Sequence, residues 1–257
     1  MKHFIPPLII CGCFILILLA AGCTSGTQDN KIPPGPGTST SITISAGGKD
    51  YPAYLAVPST GGKHPGIVLL HSFNGLEQGY KDMINRMALD GFVVIAPEWQ
   101  TYGQQAGDPE VEAVVRSSIA ALQARPETDS ARIGLTGFCA GGRYTMLFLP
   151  QVQDLKAGVA FYGFPYSRGF SNDTTPAEHI GALGDPLLMI HGSGDIPSPI
   201  DEIYTYAKEL DTEGKYYELK VYQGKPHGFM ITNGSLANDD AAGDGYTQMI
   251  RFFQRKL

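Results

Sequence analysis

The chain has 257 residues, 43% of them hydrophobic, enough for one domain with a full core rather than a stapled mini-domain. Its net charge is −6 with no basic block, which argues against nucleic acid as a partner. The four cysteines are Cys11, Cys13, Cys23 and Cys139. The body therefore holds one thiol, and neither an internal disulfide nor a cysteine-based zinc site can form in it.

Residues 1–22 read as a signal peptide: Lys2 and His3 form a basic start, and residues 8–21 form an apolar run short for a spanning helix. The run ends Leu19-Ala20-Ala21-Gly22-Cys23, which resembles a lipoprotein signal, with cleavage before Cys23 coupled to lipid attachment on its sulfur. An uncleaved anchor is the alternative. Either reading places the body outside the cytoplasm, tethered to a membrane. Residues 23–41, rich in Ser, Thr, Gly and Pro, read as a solvated linker, and 42–257 as the globular domain, expected to be a monomer.

Within that domain, residues 42–44 and 51–57 suit two antiparallel strands joined by a Gly-Gly-Lys-Asp turn. Residues 66–71 are a continuous apolar run ending at His71, as expected of a strand buried on both faces. A loop (72–79), a helix (80–90) and a strand (92–96) follow, then a polar, aromatic loop (98–108) with Trp99 and Tyr102. Pro109 opens a helix over 110–124 whose apolar stripe is Val111, Val114, Val115, Ile119 and Leu122. A strand at 133–136, a helix at 140–149 and a strand at 157–162 come next. The mixed stretch 163–184 is a candidate cap. A strand (186–191), a helix (199–212), a strand (216–222) and a last helix (240–256) complete the chain. This alternation predicts an α/β fold, a mostly parallel central sheet with helices on both faces and ligands at the carboxyl ends of the strands. Asn172-Asp173-Thr174 and Asn233-Gly234-Ser235 match the N-glycosylation sequon.

The chemistry is expected around Gly137-Phe138-Cys139-Ala140-Gly141. Glycines two positions either side of a nucleophile fit a strand-to-helix elbow, a turn too tight for side chains there, with Cys where Ser is more usual. The helix beginning at Ala140 offers free N–H groups and a positive dipole end to a thiolate or an oxyanion. A thiol nucleophile needs a base, and the base an orienting acid. Asp195 follows one predicted strand and His227 the next, so Cys139, Asp195 and His227 arrive at one sheet edge in the order nucleophile, acid, base. Each residue alone has a bland reading: a buried small thiol, an Asx turn, an exposed loop imidazole.

Gly137-Phe138-Cys139-Ala140-Gly141-Gly142-Arg143, His191-Gly192-Ser193-Gly194-Asp195 and Pro226-His227-Gly228-Phe229 together resemble the dienelactone hydrolase family, over roughly residues 50–257. The resemblance implies an α/β-hydrolase fold and cofactor-free hydrolysis of a small ester or lactone through a thioester acyl-enzyme. Cys139 would attack, His227 would shuttle the proton, Asp195 would orient His227, and the N–H groups of Ala140 and Phe73 would form the oxyanion hole. Two departures stand out. Ser72 occupies the place of a glutamate that in relatives interacts with the resting cysteine. The loop after Pro97 carries Trp99 and Tyr102 where relatives acting on dienelactone have an arginine, so an apolar or aromatic ester is expected instead. Ser72, Trp99, Tyr102 and Arg143 are the candidate substrate contacts, Arg143 being equally suited to a structural ion pair. No His, Cys or Asp cluster has metal-ligand spacing, and no phosphate-binding glycine loop occurs. The rivals are a catalytically inactive α/β-hydrolase-fold binding protein at the cell surface and a thiol redox protein using Cys139 alone.

Overall fold

The computed structural model describes residues 1–3, 38–171 and 174–257. The signal segment, Cys23, most of the linker, and Asn172 and Asp173 of the first sequon lie outside the described residues. In chain order the elements are β1 (Thr38–Ala46), β2 (Lys49–Val57), β3 (His64–Leu70), α1 (Gln78–Leu89), β4 (Val93–Pro97), α2 (Asp108–Gln123), β5 (Thr128–Phe138) and α3 (Ala140–Phe148). Then come β6 (Leu155–Phe161), a 3-10 turn (Pro176–Ala182), β7 (Leu187–Gly192), α4 (Ile200–Thr212), β8 (Tyr217–Tyr222), β9 (Ile231–Thr232), β10 (Ser235–Leu236) and α5 (Asp240–Lys256).

The eight long strands form one sheet in the order β1-β2-β4-β3-β5-β6-β7-β8. The pairs β1–β2 and β2–β4 are antiparallel, and every pair from β4–β3 to β7–β8 is parallel. The central strands are apolar on both faces because both faces are covered. In β3, Val68 and Leu70 join the core under α2, α3 and α4, while Ile67 and Leu69 join the core under α1 and α5. The same period of two divides β4, with Val93 and Ile95 on one side and Val94 and Ala96 on the other. Helix α5 closes its face with Tyr246, Met249, Ile250, Phe252 and Phe253, each buried. Burying side chains of this size contributes roughly 1.5–3 kcal/mol apiece. This is the mostly parallel, doubly covered sheet expected from the strand–helix alternation, and it is consistent with the α/β-hydrolase fold that the resemblance implies.

Two local features differ from expectation. Residues 38–41, read as linker, belong to β1: Thr38 pairs with Val57 and Ser41 with Tyr54. Their side chains are exposed, so the apolar alternation of Ile42, Ile44 and Ala46 does not extend to this part of the edge strand, which is held by backbone pairing. The second is the β9–β10 hairpin, whose two-residue strands are too short to show a period. Its signal was Asn233-Gly234, which takes positive φ at both residues (51° and 75°), as a two-residue primed turn requires. Those residues had been read only as a sequon.

Candidate active site

Strand register brings the chemistry together. Leu70 pairs with Gly137, Phe138 with Phe161, Phe161 with Ile190, and Gly192 with Tyr222. The carboxyl ends of β3, β5, β6, β7 and β8 therefore emerge along one edge, where His71, Cys139, Tyr162, Asp195 and His227 follow.

Cys139 is the hinge between β5 and α3. It sits at φ 58°, ψ −116°, a conformation that costs a non-glycine residue on the order of 1–3 kcal/mol and persists only where its surroundings enforce it. Its N–H donates to the Phe161 carbonyl at 3.1 Å, and its carbonyl accepts from the Arg143 N–H at 3.0 Å. The flanking glycines are sterically required. A Cβ on Gly137 would run into the carbonyl of Gly141, and a Cβ on Gly141 into the carbonyl of Leu70. Ala140 opens α3, so its N–H has no acceptor within the helix.

His227 is held by Asp195, with Nδ1 2.8 Å from Oδ2. Asp195 is itself fixed, Oδ1 accepting the Ser198 N–H at 2.9 Å and Oδ2 lying 3.3 Å from Nε2 of His191. Burial lowers the pKa of His191, so its ring is neutral, and Nε2 donates to the Ser198 carbonyl at 2.8 Å. The loops carrying Asp195 and His227 are knitted together. The Ser193 N–H donates to Tyr222, the Gly194 N–H to Lys225, and the Gly224 N–H to the Ser193 hydroxyl. Tyr162, itself at positive φ (37°), meets the His227 ring edge-on at 5.0 Å, and Phe164 lies 5.3 Å away on another side. Burial works against the charged form of His227, but its hydrogen bond to Asp195 and its interactions with Asp195 and Cys139 prevail and raise its pKa to about 9.

The dienelactone hydrolase family model matches residues 51–257, which include every residue of this constellation. The chain belongs to the dienelactone hydrolase family. It is 30% identical over 225 residues to "Protein usf" of Aquifex pyrophilus, covering 79% of this chain and 93% of that protein. It is 28% identical over 232 residues to a "Putative carboxymethylenebutenolidase" of Salmonella typhimurium, covering 82% of this chain and 85% of that one. Among solved structures, a "Putative Dienelactone Hydrolase" from Klebsiella pneumoniae superposes with a TM-score of 0.77 at 26% identity, covering 86% of this chain and 100% of its own.

In this family member a cavity of about 180 Å³ opens beside Cys139, walled by Ser72, Phe73, Tyr80, Tyr162 and His227. The loop that follows β3 is braced from below. His71 is buried, its pKa lowered to about 4, and its neutral ring donates from Nδ1 to the Ser72 carbonyl at 2.8 Å. That ring stacks on Trp99 at 5.1 Å, and Trp99 Nε1 donates to the His71 carbonyl at 3.4 Å.

Of the four expected substrate contacts, Ser72 lines the cavity, beside Phe73 of the expected oxyanion hole, and the other three do not. Trp99 is wholly buried: it forms the floor under the His71 loop, and substrate cannot reach it. Tyr102 is exposed elsewhere, on a depression walled with Glu110, and its hydroxyl donates to the Asp50 carbonyl at 2.9 Å, tying the loop to the β1–β2 turn. Arg143 is 3% exposed and fully engaged. Nη1 and Nη2 each bond an Asp108 oxygen at 2.8 Å, Nε donates to Ser167 at 2.8 Å and Nη2 to Thr174 at 3.0 Å. It is a structural clamp joining α3, the start of α2 and the 163–175 segment.

Tyr80, Tyr162, Glu77 and Ile231 line the cavity and were not anticipated. Tyr162 had a usable signal, since it ends a predicted parallel strand at the ligand-binding edge. Ile231 had none, because the hairpin that carries it lacks a period.

Proposed function

We propose that this hydrolase cleaves a small ester or lactone through a thioester on Cys139, with His227 moving the proton and Asp195 orienting His227. The observation that carries this reading is the 2.8 Å Asp195–His227 contact, with His227 walling the same cavity as a strained elbow cysteine. A His227 that holds its proton beside Cys139 is the arrangement a thiolate–imidazolium nucleophile requires.

Sγ attacks the acyl carbon and the carbonyl π electrons move to oxygen. The N–H groups of Ala140 and Phe73 receive that charge, such donors being worth roughly 100- to 1000-fold in rate each. The ester C–O bond breaks, and His227 gives its proton to the departing alkoxide, which in a lactone stays attached to the acyl chain. Neutral His227 then takes a proton from water as the water oxygen attacks the thioester. The C–S bond breaks, the acid leaves, and the thiolate–imidazolium pair is restored. Asp195 keeps Nδ1 protonated so that Nε2 faces the reaction.

The assay is hydrolysis of 4-nitrophenyl acetate by the purified chain and by Cys139→Ala. The proposal requires turnover by the first and none above background by the second; equal rates would overturn it. An inactive binding protein has no need of the strain at Cys139 or the triply fixed Asp195, so the geometry favours the enzyme.

The cell context is also a proposal, supported by Leu19-Ala20-Ala21-Gly22-Cys23: the protein is extracytoplasmic and lipid-anchored at Cys23. Incorporation of labelled palmitate in the producing cell, lost in Cys23→Ala, is the expected result. Undiminished labelling in that variant would contradict it.

A further inference from the structure

We infer that the cavity beside Cys139 rejects acyl groups bearing a carboxylate, and that Glu77 is the residue that sets this selectivity. The inference rests on the hydrolase reading for its substrates, but the cavity property can be measured without turnover.

Glu77 is the N-cap residue of α1, and its carbonyl accepts the Tyr80 N–H at 3.0 Å, so the two side chains leave the same turn and enter the same cavity. Glu77, Tyr80, Ser72 and Cys139 wall one cavity of about 180 Å³, so the Glu77 carboxylate shares the pocket of the nucleophile. The other wall is Ile231, on the β9–β10 hairpin. That hairpin is pinned against α1 where the Gly79 N–H donates to the Gly234 carbonyl at 2.8 Å, and a Cβ on Gly79 would collide with Leu236. The hairpin therefore encloses Glu77 on its outer side, and this burial raises the carboxyl pKa.

Toward substrate only the His227 ring could offset that carboxylate, and it is already engaged by Asp195. No Lys or Arg lines the cavity among the described residues, and Glu77 forms no ion pair among them. Arg143, the cation the sequence offered for an anionic substrate, is saturated by Asp108. The α1 N-terminus, whose dipole favours a negative group, accounts for the tolerance of a partly buried Glu77 there. It does not offer the same site to a second anion. The volume of about 180 Å³ corresponds to about six water molecules, so an acyl group of about six non-hydrogen atoms fills it. A carboxylate at the far end of such a group would stand against Glu77 with little water between. At that range and an intermediate dielectric the repulsion is enough for about tenfold or more in kcat/KM. Neutral acyl groups escape it, and amine-bearing ones gain from it.

The test compares three methyl esters of similar length at pH 8, followed by acid release: methyl pentanoate, monomethyl succinate and methyl 4-(trimethylammonio)butyrate. The expected kcat/KM for the succinate monoester is at least about tenfold below that of pentanoate, with the trimethylammonio ester at or above pentanoate. In Glu77→Gln the succinate-to-pentanoate ratio rises about tenfold. In parallel, the rate of Cys139 alkylation is followed by mass spectrometry with iodoacetate and with neutral iodoacetamide. The iodoacetate-to-iodoacetamide ratio is expected to rise in Glu77→Gln. Unchanged ratios in Glu77→Gln, or succinate turned over as well as pentanoate, would overturn the inference. Absence of ester turnover with a charge-dependent alkylation ratio would instead sink the hydrolase reading and leave the selectivity of the cavity standing.

Discussion

Oδ2 of Asp195 lies 2.8 Å from Nδ1 of His227, while Oδ1 of the same carboxylate is held by the Ser198 N–H at 2.9 Å. Asp195 thus has one oxygen for its own position and one for the imidazole. In Asp195→Asn the amide can keep the Ser198 bond but can no longer dictate which His227 nitrogen carries the proton. The expected loss in kcat is roughly 1000- to 10,000-fold with little change in melting temperature. A loss below about tenfold, measured on 4-nitrophenyl acetate, would remove Asp195 from the mechanism.

The raised pKa of His227 has consequences in solution. With Cys139 and Asp195 as partners it titrates near 9, above the value of about 6.5 for an unfolded histidine. The folded state then binds more protons than the unfolded state between those values. His227 contributes stability that is fully present below about pH 6.5 and is lost as pH rises through about 9. NMR titration of its ring should show the high value in the wild type and a lower one in Cys139→Ser. An equal value in both would mean that the sulfur does not contribute.

Arg143 distinguishes a structural from a substrate role. Removing one partner of a buried, bidentate pair leaves an uncompensated charge, so Arg143→Ala should cost about 3–5 kcal/mol in urea unfolding. Arg143→Lys cannot restore both bonds to Asp108 and should recover only part of that. A raised KM with unchanged stability would instead return Arg143 to the substrate.

The elbow should tolerate no side chain at its first glycine. Gly137→Ala places a methyl against the Gly141 carbonyl and the Thr145 hydroxyl, so the turn must open. Small misplacement of a nucleophile costs on the order of 100-fold in rate. Loss of turnover in a chain that keeps its far-UV circular dichroism is the expected outcome; wild-type activity would show the elbow to be more pliable than its packing implies.

Much of this was readable in the residues. The parallel core announced itself through runs such as Ile67-Val68-Leu69-Leu70, and Cys139, Asp195 and His227 could be placed together because each follows a predicted strand. What escaped depended on tertiary packing. Trp99 and Tyr102 sit in a loop at the active edge, but sequence gives no direction for a side chain, and both turn to scaffold: one under His71, the other onto Asp50. The 163–184 stretch, which showed no periodicity, contains the capping box Thr175/Glu178 that starts its 3-10 turn. The Thr-Pro-Ala-Glu pattern was present in the sequence. Glu77, within the 72–79 loop, carries no signal of its own in the sequence, because its place in the cavity wall depends on the distant hairpin that brings Ile231.

The measurement that tests the central claim most directly is trapping of the acyl-enzyme. The protein is mixed with 4-nitrophenyl acetate, quenched in acid within seconds and mapped by peptide mass spectrometry. The account predicts one acetyl group on Cys139, absent after prior alkylation of that thiol and longer-lived when His227 is replaced by Ala. Turnover with Cys139 unmodified, or with the acetyl group on another residue, would contradict it.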